Sequence, residues 1–191
     1  MALSPIFQIM NKALTGPSPE SSVPPVATAI PEVVALDSVA QSPGQHPEGN
    51  AWKHTLLALS LMPPDPDPVL AWTVLLHDVG KASTATVVDG VIRFPKHHEV
   101  GAEMAAAILD RLGAEPEFRD RVARLVRRHM LLTGVDGWKD KTFRRFAADP
   151  DAAILLEFAR IDIMASHKDL SSWTAFKERL DAVCPGALKE T

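Results

Sequence analysis

In the stretch Val74-Leu75-Leu76-His77-Asp78-Val79-Gly80-Lys81, two potential metal ligands stand side by side behind an apolar run, with a glycine and a lysine at once after them. An imidazole and a carboxylate in that setting suit a divalent cation. Burying even a neutral polar group without a partner costs about 2–7 kcal/mol, and an unpaired carboxylate costs more, so packing alone is a poor account of the pair. A His-Asp dipeptide is nevertheless common by chance, and it gains meaning only if other parts of the chain bring further ligands. His54 and Asp162 are the candidates, since each falls on an apolar helix face. Singly, a histidine on such a face is ordinarily a satisfied core residue, and Asp162 has Arg160 and Lys168 in reach. Taken as a set, His54, His77, Asp78 and Asp162 favour a metal. Two imidazoles with two carboxylates suit a first-row divalent ion, or magnesium or manganese with water completing the shell.

The elements that must carry these residues are helical. Asn50 is placed to cap a helix from Ala51 to about Met62, which carries His54 and is stopped by the proline-rich run 63–68. Val69 to Val79 is apolar almost all round, as a central buried helix should be, with Gly80 as its expected C′ stop. Thr84 to Phe94 has β-branched residues flanking Asp89-Gly90, a hairpin signal, so a small β-hairpin is expected over about 84–95. Helices are expected again over His98–Leu112, Pro116–Leu132, Lys141–Ala148, Asp151–His167 and Ser172–Val183. His129 shares the buried stripe of Phe118, Val122 and Leu125, and Asp162 lies within the apolar face of its helix. The fold class is therefore all-α, a helical bundle with one small hairpin, and such a bundle can converge ligands from facing helices.

A short helix is possible over Leu3–Leu14, and Pro31–Val39 is another with proline in its first turn. The prolines and serines between Gly16 and Pro25 read as a linker. Residues 1–29 are accordingly expected to be an arm and linker, and 30–191 the domain. With 191 residues and a net charge of −4, the chain suits one soluble domain and offers no general electrostatic attraction to RNA. A single cysteine rules out an internal disulfide and a cysteine-rich zinc site. No apolar run reaches the length of a membrane span and the N-terminus lacks the form of a signal peptide, so a cytoplasmic protein is expected.

The order His54 … His77-Asp78 … Asp162 resembles the HD superfamily of metal-dependent phosphohydrolases. The likeness is greatest to the C-terminal HD domain of bacterial multifunctional CCA-adding enzymes and poly(A) polymerase-like proteins. It is carried by His46 to Leu56, Leu75 to Lys81, Arg93 to Ala102, Leu125 to Met130 and Asp162 to Leu170. Asn50 stands where that family usually has Asp. No nucleotidyltransferase half is expected in this chain, and hence no CCA addition by it alone.

The resemblance implies a phosphomonoesterase or phosphodiesterase acting on nucleotides or small phosphate esters through a metal-activated water. It implies His54, His77, Asp78 and Asp162 as metal ligands, with Asp78 also a proton acceptor and hence catalytic. His98 and His129 are implied as ligands of a possible second metal or as phosphate contacts. The pattern His-Glu-x-x-Gly is aligned on His98, Glu99 and Gly101, which leaves His97 the less favoured neighbour. Lys81 is expected as a catalytic phosphate clamp, with Arg128 and Ser166 as further substrate contacts. His46 and Glu48 are left at the rim or behind the ligands. The ion is one or two of Mg, Mn, Co, Ni or Fe, and the oligomeric state is left open. The alternatives are an HD-fold di-iron oxygenase, which shares the ligand set, and a non-catalytic RNA- or protein-binding HD module.

Overall fold

A computed structural model describes residues 4–44 and 46–188, the side chain of Asp136 excepted. The helices are α1 (Pro5–Thr15), α2 (Pro19–Ser22), α3 (Pro31–Val34), α4 (Ala51–Ser60), α5 (Pro68–Leu76), α6 (Lys81–Thr84), α7 (His97–Arg111), α8 (Pro116–Arg128), α9 (Asp140–Ala147), α10 (Ala152–Ala165) and α11 (Ser171–Val183). Between α6 and α7 runs a two-stranded antiparallel hairpin, β1 (Thr86–Val88) and β2 (Val91–Arg93). The all-α bundle with one hairpin thus agrees with the sequence reading.

The bundle is built around α5. Its residues from Val69 to Leu76 are all buried, as an all-round apolar helix requires. Asp67 caps it by accepting the N–H of Val69, with Pro68 in the first turn. α1, α4, α8 and α10 pack against it, and α7 and α8 pair as the most extensive helix contact. Asn50 caps α4 by accepting the N–H of Lys53, while its amide donates to the backbone oxygen and the carboxylate of Asp37. The hairpin turn has positive φ at both Asp89 and Gly90, the conformation that a two-residue type I′ loop demands.

Several expectations are corrected. Within the expected arm and linker, α1 and α2 form, and Phe7, Met10, Leu14, Val23 and Ala27 enter the main core, so that residues 4–29 wrap on the domain. Pro17 and Pro19 precede or open a short helix, a position where a missing N–H does no harm. The expected helix over 31–39 divides into α3 and a 3-10 turn over Ala35–Ser38. α5 stops at Leu76, and α8 at Arg128, short of the expected Leu132.

Gly80 is the most informative difference. Its φ of −73° is no left-handed stop. A Cβ at this position would lie 2.2 Å from the backbone oxygen of His97 and 2.7 Å from the nitrogen of Gly101. The glycine is there because two backbones touch, and that contact fixes the N-terminus of α7 beside the end of α5.

Candidate metal centre

Five elements bring their ends together at one side of the bundle. α4 contributes His54, the turn after α5 contributes His77 and Asp78, the start of α7 His97, the end of α8 His129, and α10 Asp162. All but Asp162 are buried, and Asp162 keeps 31% of its side chain exposed to a cleft of about 530 Å³ that the cluster floors. The β-hairpin forms one lip of this cleft and Met130, after α8, lies on its lining.

Tautomers follow from the hydrogen bonds. Nδ1 of His77 lies 2.9 Å from the carbonyl of Val74, that of His97 2.9 Å from the carbonyl of Phe94, and that of His129 2.7 Å from the carbonyl of Val126. A carbonyl only accepts, so each Nδ1 carries the proton, and in a neutral ring each Nε2 is then a lone pair. These lone pairs face one another and carboxylates. Nε2 of His97 is 3.1 Å from Nε2 of His129 and 3.6 Å from Oδ1 of Asp78. Nε2 of His77 is 3.2 Å from Oδ2 of Asp78 and 3.7 Å from Oδ1 of Asp162. Among the described residues, His77 Nε2 is buried and has no hydrogen-bond partner, and the neighbouring buried Asp78 Oδ2 meets the Lys81 ammonium at 2.7 Å. Burial pushes His129 down to about 3 and lowers His97 as well, so neither ring gains a proton near neutral pH to bridge the gap. Converging lone pairs and carboxylate oxygens are what a cation satisfies, and the donor set fits a divalent metal.

His54 closes the other side. Its Nδ1 is 2.9 Å from Oε1 of Glu48 and its Nε2 2.9 Å from Oδ1 of Asp162. Burial opposes a charge on this ring, but the hydrogen bonds to Asp162 and Glu48 outweigh it and raise His54 to about 10. Asp162 is held well below the usual carboxylate range: burial works against its charge and the His54 hydrogen bond overcomes that. Asp78 is likewise held low, because the facing His77 and the Lys81 ammonium outweigh its full burial. Glu48 also accepts from His46 Nδ1 at 2.8 Å. Glu48 therefore sits behind the cluster and orients His54, as the partners of metal-binding imidazoles do.

Three groups of donors have ligand atoms within 4.8 Å of one another: His54, His77 and Asp162 in one, Asp78, His97 and His129 in another, and, behind the cluster, His46, Glu48 and His54. The remaining expected site residues fall as follows. His97, not His98, enters the cluster: His98 points off it, with 33% of its side chain exposed and Nε2 4.0 Å from Glu99. The pattern His-Glu-x-x-Gly sets its histidine four residues before the glycine, which counted back from Gly101 is His97. Lys81 lines the cleft but is buried, with Nζ 2.7 Å from Asp78 Oδ2 and donating to Gln41 Oε1 at 2.5 Å. Arg128 is not in the cleft lining; it pairs with Asp149 at 2.5 Å. Ser166 lines the cleft, and its hydroxyl donates to the backbone oxygen of Asp162 at 2.9 Å.

The described helices include none long and apolar enough to cross a membrane. Among curated proteins, the chain is 37% identical over 132 residues to the multifunctional CCA protein of Halorhodospira halophila, covering 65% of this chain and 31% of that one. It is 40% identical over 107 residues to the multifunctional CCA protein of Alkalilimnicola ehrlichii, covering 56% and 25%. With the CC-adding tRNA nucleotidyltransferase of Thermus thermophilus it shares 41% identity over 106 residues, covering 53% and 24%. The chain thus aligns with about a quarter to a third of the length of these relatives. A family model described as "HD domain" matches residues 45–172, a span that holds every member of the buried cluster from Glu48 to Asp162. On that match, which takes in well over half of its residues, the chain belongs to the HD domain family.

Proposed function

We propose that the cleft hydrolyses phosphate esters, phosphomonoesters or phosphodiesters of nucleotides, with divalent cations held by His54, His77, Asp162 and by Asp78, His97, His129. The observation that carries this is the convergence of Nε2 lone pairs with carboxylate oxygens at a cleft floor, in a chain of a hydrolase superfamily. Two adjacent groups of three donors, joined by the neighbours His77 and Asp78, favour two ions over one. A bound divalent ion supplies Lewis acidity toward a phosphoryl oxygen and lowers the pKa of a water. The protein's own groups do the rest. Asp78, fixed as a carboxylate by Lys81 at Oδ2, accepts a proton from water at Oδ1. We assign Lys81 to holding Asp78 in place, not to clamping phosphate, because its ammonium is already engaged with Asp78 and Gln41. Glu48 holds the His54 ring. Ser166, at the cleft, is retained as a substrate contact. The relatives are named for CCA and for tRNA nucleotidyl transfer, which puts nucleotides and RNA termini first among substrates to try.

The test combines metal analysis of the purified protein with hydrolysis of p-nitrophenyl phosphate, nucleoside monophosphates and 2′,3′-cyclic nucleotides under Mg²⁺, Mn²⁺, Co²⁺ and Ni²⁺. Metal-dependent hydrolysis is expected, and it should fall to background in Asp78→Asn while circular dichroism stays helical. Asp78→Asn is preferred to Asp78→Ala because it keeps a polar group of the same volume beside buried Lys81. Unaltered turnover in that variant, or no metal-dependent turnover across the panel, would overturn the reading. Two tightly bound irons with oxygen consumption would point instead to an oxygenase.

A further inference from the structure

We propose that Arg93, at the end of β2, anchors an anionic group of the substrate remote from the phosphate that is cleaved, so that the cleft selects esters carrying a second phosphate. The proposal deepens the phosphohydrolase reading and rests on it for which phosphate lies at the floor. A phosphate-binding cleft floored by two carboxylates needs cationic contacts for the rest of its substrate. Of the two permanently charged cations on its lining, Lys81 is consumed by Asp78 and Gln41. The other, Arg93, is exposed and has no ion-pair partner among the described residues. The arginines of α8 are engaged elsewhere, since Arg119, Arg121, Arg124, Arg127 and Arg128 each have a carboxylate partner.

The position of Arg93 is fixed although its head is free. It pairs with Thr86 across the hairpin, and its carbonyl accepts the Thr86 hydroxyl. The next residue, Phe94, takes the Nδ1 proton of His97 on its carbonyl and lies under the Lys81 ammonium, 5.3 Å from Nζ to the ring centre. The His97 ring and its backbone N–H both donate to that carbonyl, which ties the hairpin lip to the cluster, and Arg93 stands on that lip. Beside it are apolar surfaces of unusual exposure: Val91, 46% exposed, and Met130, 42% exposed, both on the cleft lining. They suit the base or ribose of a nucleotide that carries a phosphate at each end of its sugar. A guanidinium matches a phosphate through two parallel N–H donors, which an ammonium cannot copy.

The experiment titrates adenosine 3′,5′-bisphosphate and adenosine 5′-monophosphate into the full-length, manganese-loaded protein by calorimetry, with hydrolysis of both measured in parallel. Arg93→Ala is expected to weaken the bisphosphate about tenfold or more and to leave the monophosphate nearly unaltered, a loss in the range of one charge-assisted hydrogen-bonding group. Arg93→Lys should restore part of it. Where turnover occurs, the bisphosphate should show a raised KM with kcat unchanged. Equal binding of both nucleotides by the unmodified protein, or an equal loss from Lys141→Ala on the exposed face of α9, would overturn the anchor. Hydrolysis without any Arg93 effect removes the anchor and keeps the phosphohydrolase. Arg93-dependent binding without hydrolysis of either nucleotide does the reverse.

Discussion

The chemistry of the site turns on which nitrogen of each histidine carries its proton. His77, His97 and His129 each give Nδ1 to the carbonyl three residues earlier, so their Nε2 lone pairs are turned inward by the backbone itself. His54 differs, since its tautomer is set by a side chain, Glu48. Glu48→Ala is therefore expected to lower metal affinity about 10–100-fold, the usual effect of removing a ligand's hydrogen-bond partner, with the fold retained. Competitive titration against a metal-binding dye reads this out; affinity equal to the parent's would show that Glu48 does not position His54. The metal-free protein should also have a narrow pH range of stability. His54, raised to about 10, contributes stability that is complete below about 6.5 and is lost as pH climbs toward 10. His129, lowered to about 3, acts in the opposite sense: below about 6.5 the unfolded chain takes up a proton that the folded one refuses. Each site changes the unfolding free energy by about 1.4 kcal/mol per pH unit within its window. Urea midpoints of metal-free protein should peak near pH 6.5 and fall on both sides, and a midpoint flat from pH 5 to 9 would contradict both shifts. His54, His77, Asp78, His129 and Asp162 were legible as candidates because polar residues on apolar faces stand out. His97 was not, because two adjacent histidines precede Glu99 and only the count back from Gly101 separates them. Glu48 offered only its place in the loop before His54.

At the scale of the elements, the cluster depends on how closely α7 can approach the end of α5. Gly80 and Gly101 meet there, and a Cβ on Gly101 would itself lie 3.3 Å from the nitrogen of Gly80. Gly80→Ala cannot be accommodated by moving a flexible side chain, because the obstructing atoms are backbone. α7 must shift, and with it His97, whose Nε2 stands 3.1 Å from His129. The expected outcome is a loss of about 1–3 kcal/mol of stability, the usual cost of overpacking. A fall in metal content should accompany it. Melting temperature and metal stoichiometry of Gly80→Ala check this together, and a variant with full metal content would show that the contact does not set His97. A glycine after an apolar helix looks like a C′ stop whether or not its φ is positive, so the role of Gly80 as a meeting point of two backbones was not legible. The ends of α10 and α8 are joined by a different device. Buried Asp151, just before α10, accepts Arg121 Nε at 2.6 Å and also pairs with Arg124, while Asp149 pairs with Arg128. These pairs clip the helix of Asp162 to the helix of His129, which is why Arg128 serves the scaffold and not the cleft. A helix rich in arginine does not disclose which of them has a partner far along the chain.

For the whole molecule, the question is how far the metal centre depends on residues that lie outside the span matched by the family model. α1 lies against the middle of α5. Phe7 stacks on Trp72 with ring centres 5.3 Å apart and planes 8° from parallel, and it meets Phe118 edge-on at 5.5 Å. Asn11 Oδ1 accepts the indole N–H of Trp72 at 3.1 Å, and Met10 and Leu14 are fully buried. Trp72 sits on α5 a little more than a turn before His77, so this contact supports the element that carries the His-Asp pair. The apolar pattern of Leu3–Leu14 allowed a helix, but the proline and serine content that follows it masked the packing, because composition does not tell a linker from a tight connection. Phe7→Ala is expected to cost about 3–5 kcal/mol, as for other buried aromatic truncations. Removing residues 1–29 should do more: it uncovers Trp72, leaves its N–H without Asn11, and strips Val23 and Ala27 from the core. Both effects appear in urea denaturation followed by tryptophan fluorescence, where Phe7→Ala should lower the midpoint and red-shift the native emission as water reaches Trp72. Metal binding separates support from mere attachment. If α1 braces α5, Phe7→Ala lowers metal affinity although Phe7 touches no ligand, and the loss shrinks as bound metal stabilises the folded form. A truncated protein with the parent's midpoint and full metal content would show that α1 covers the bundle without bracing it.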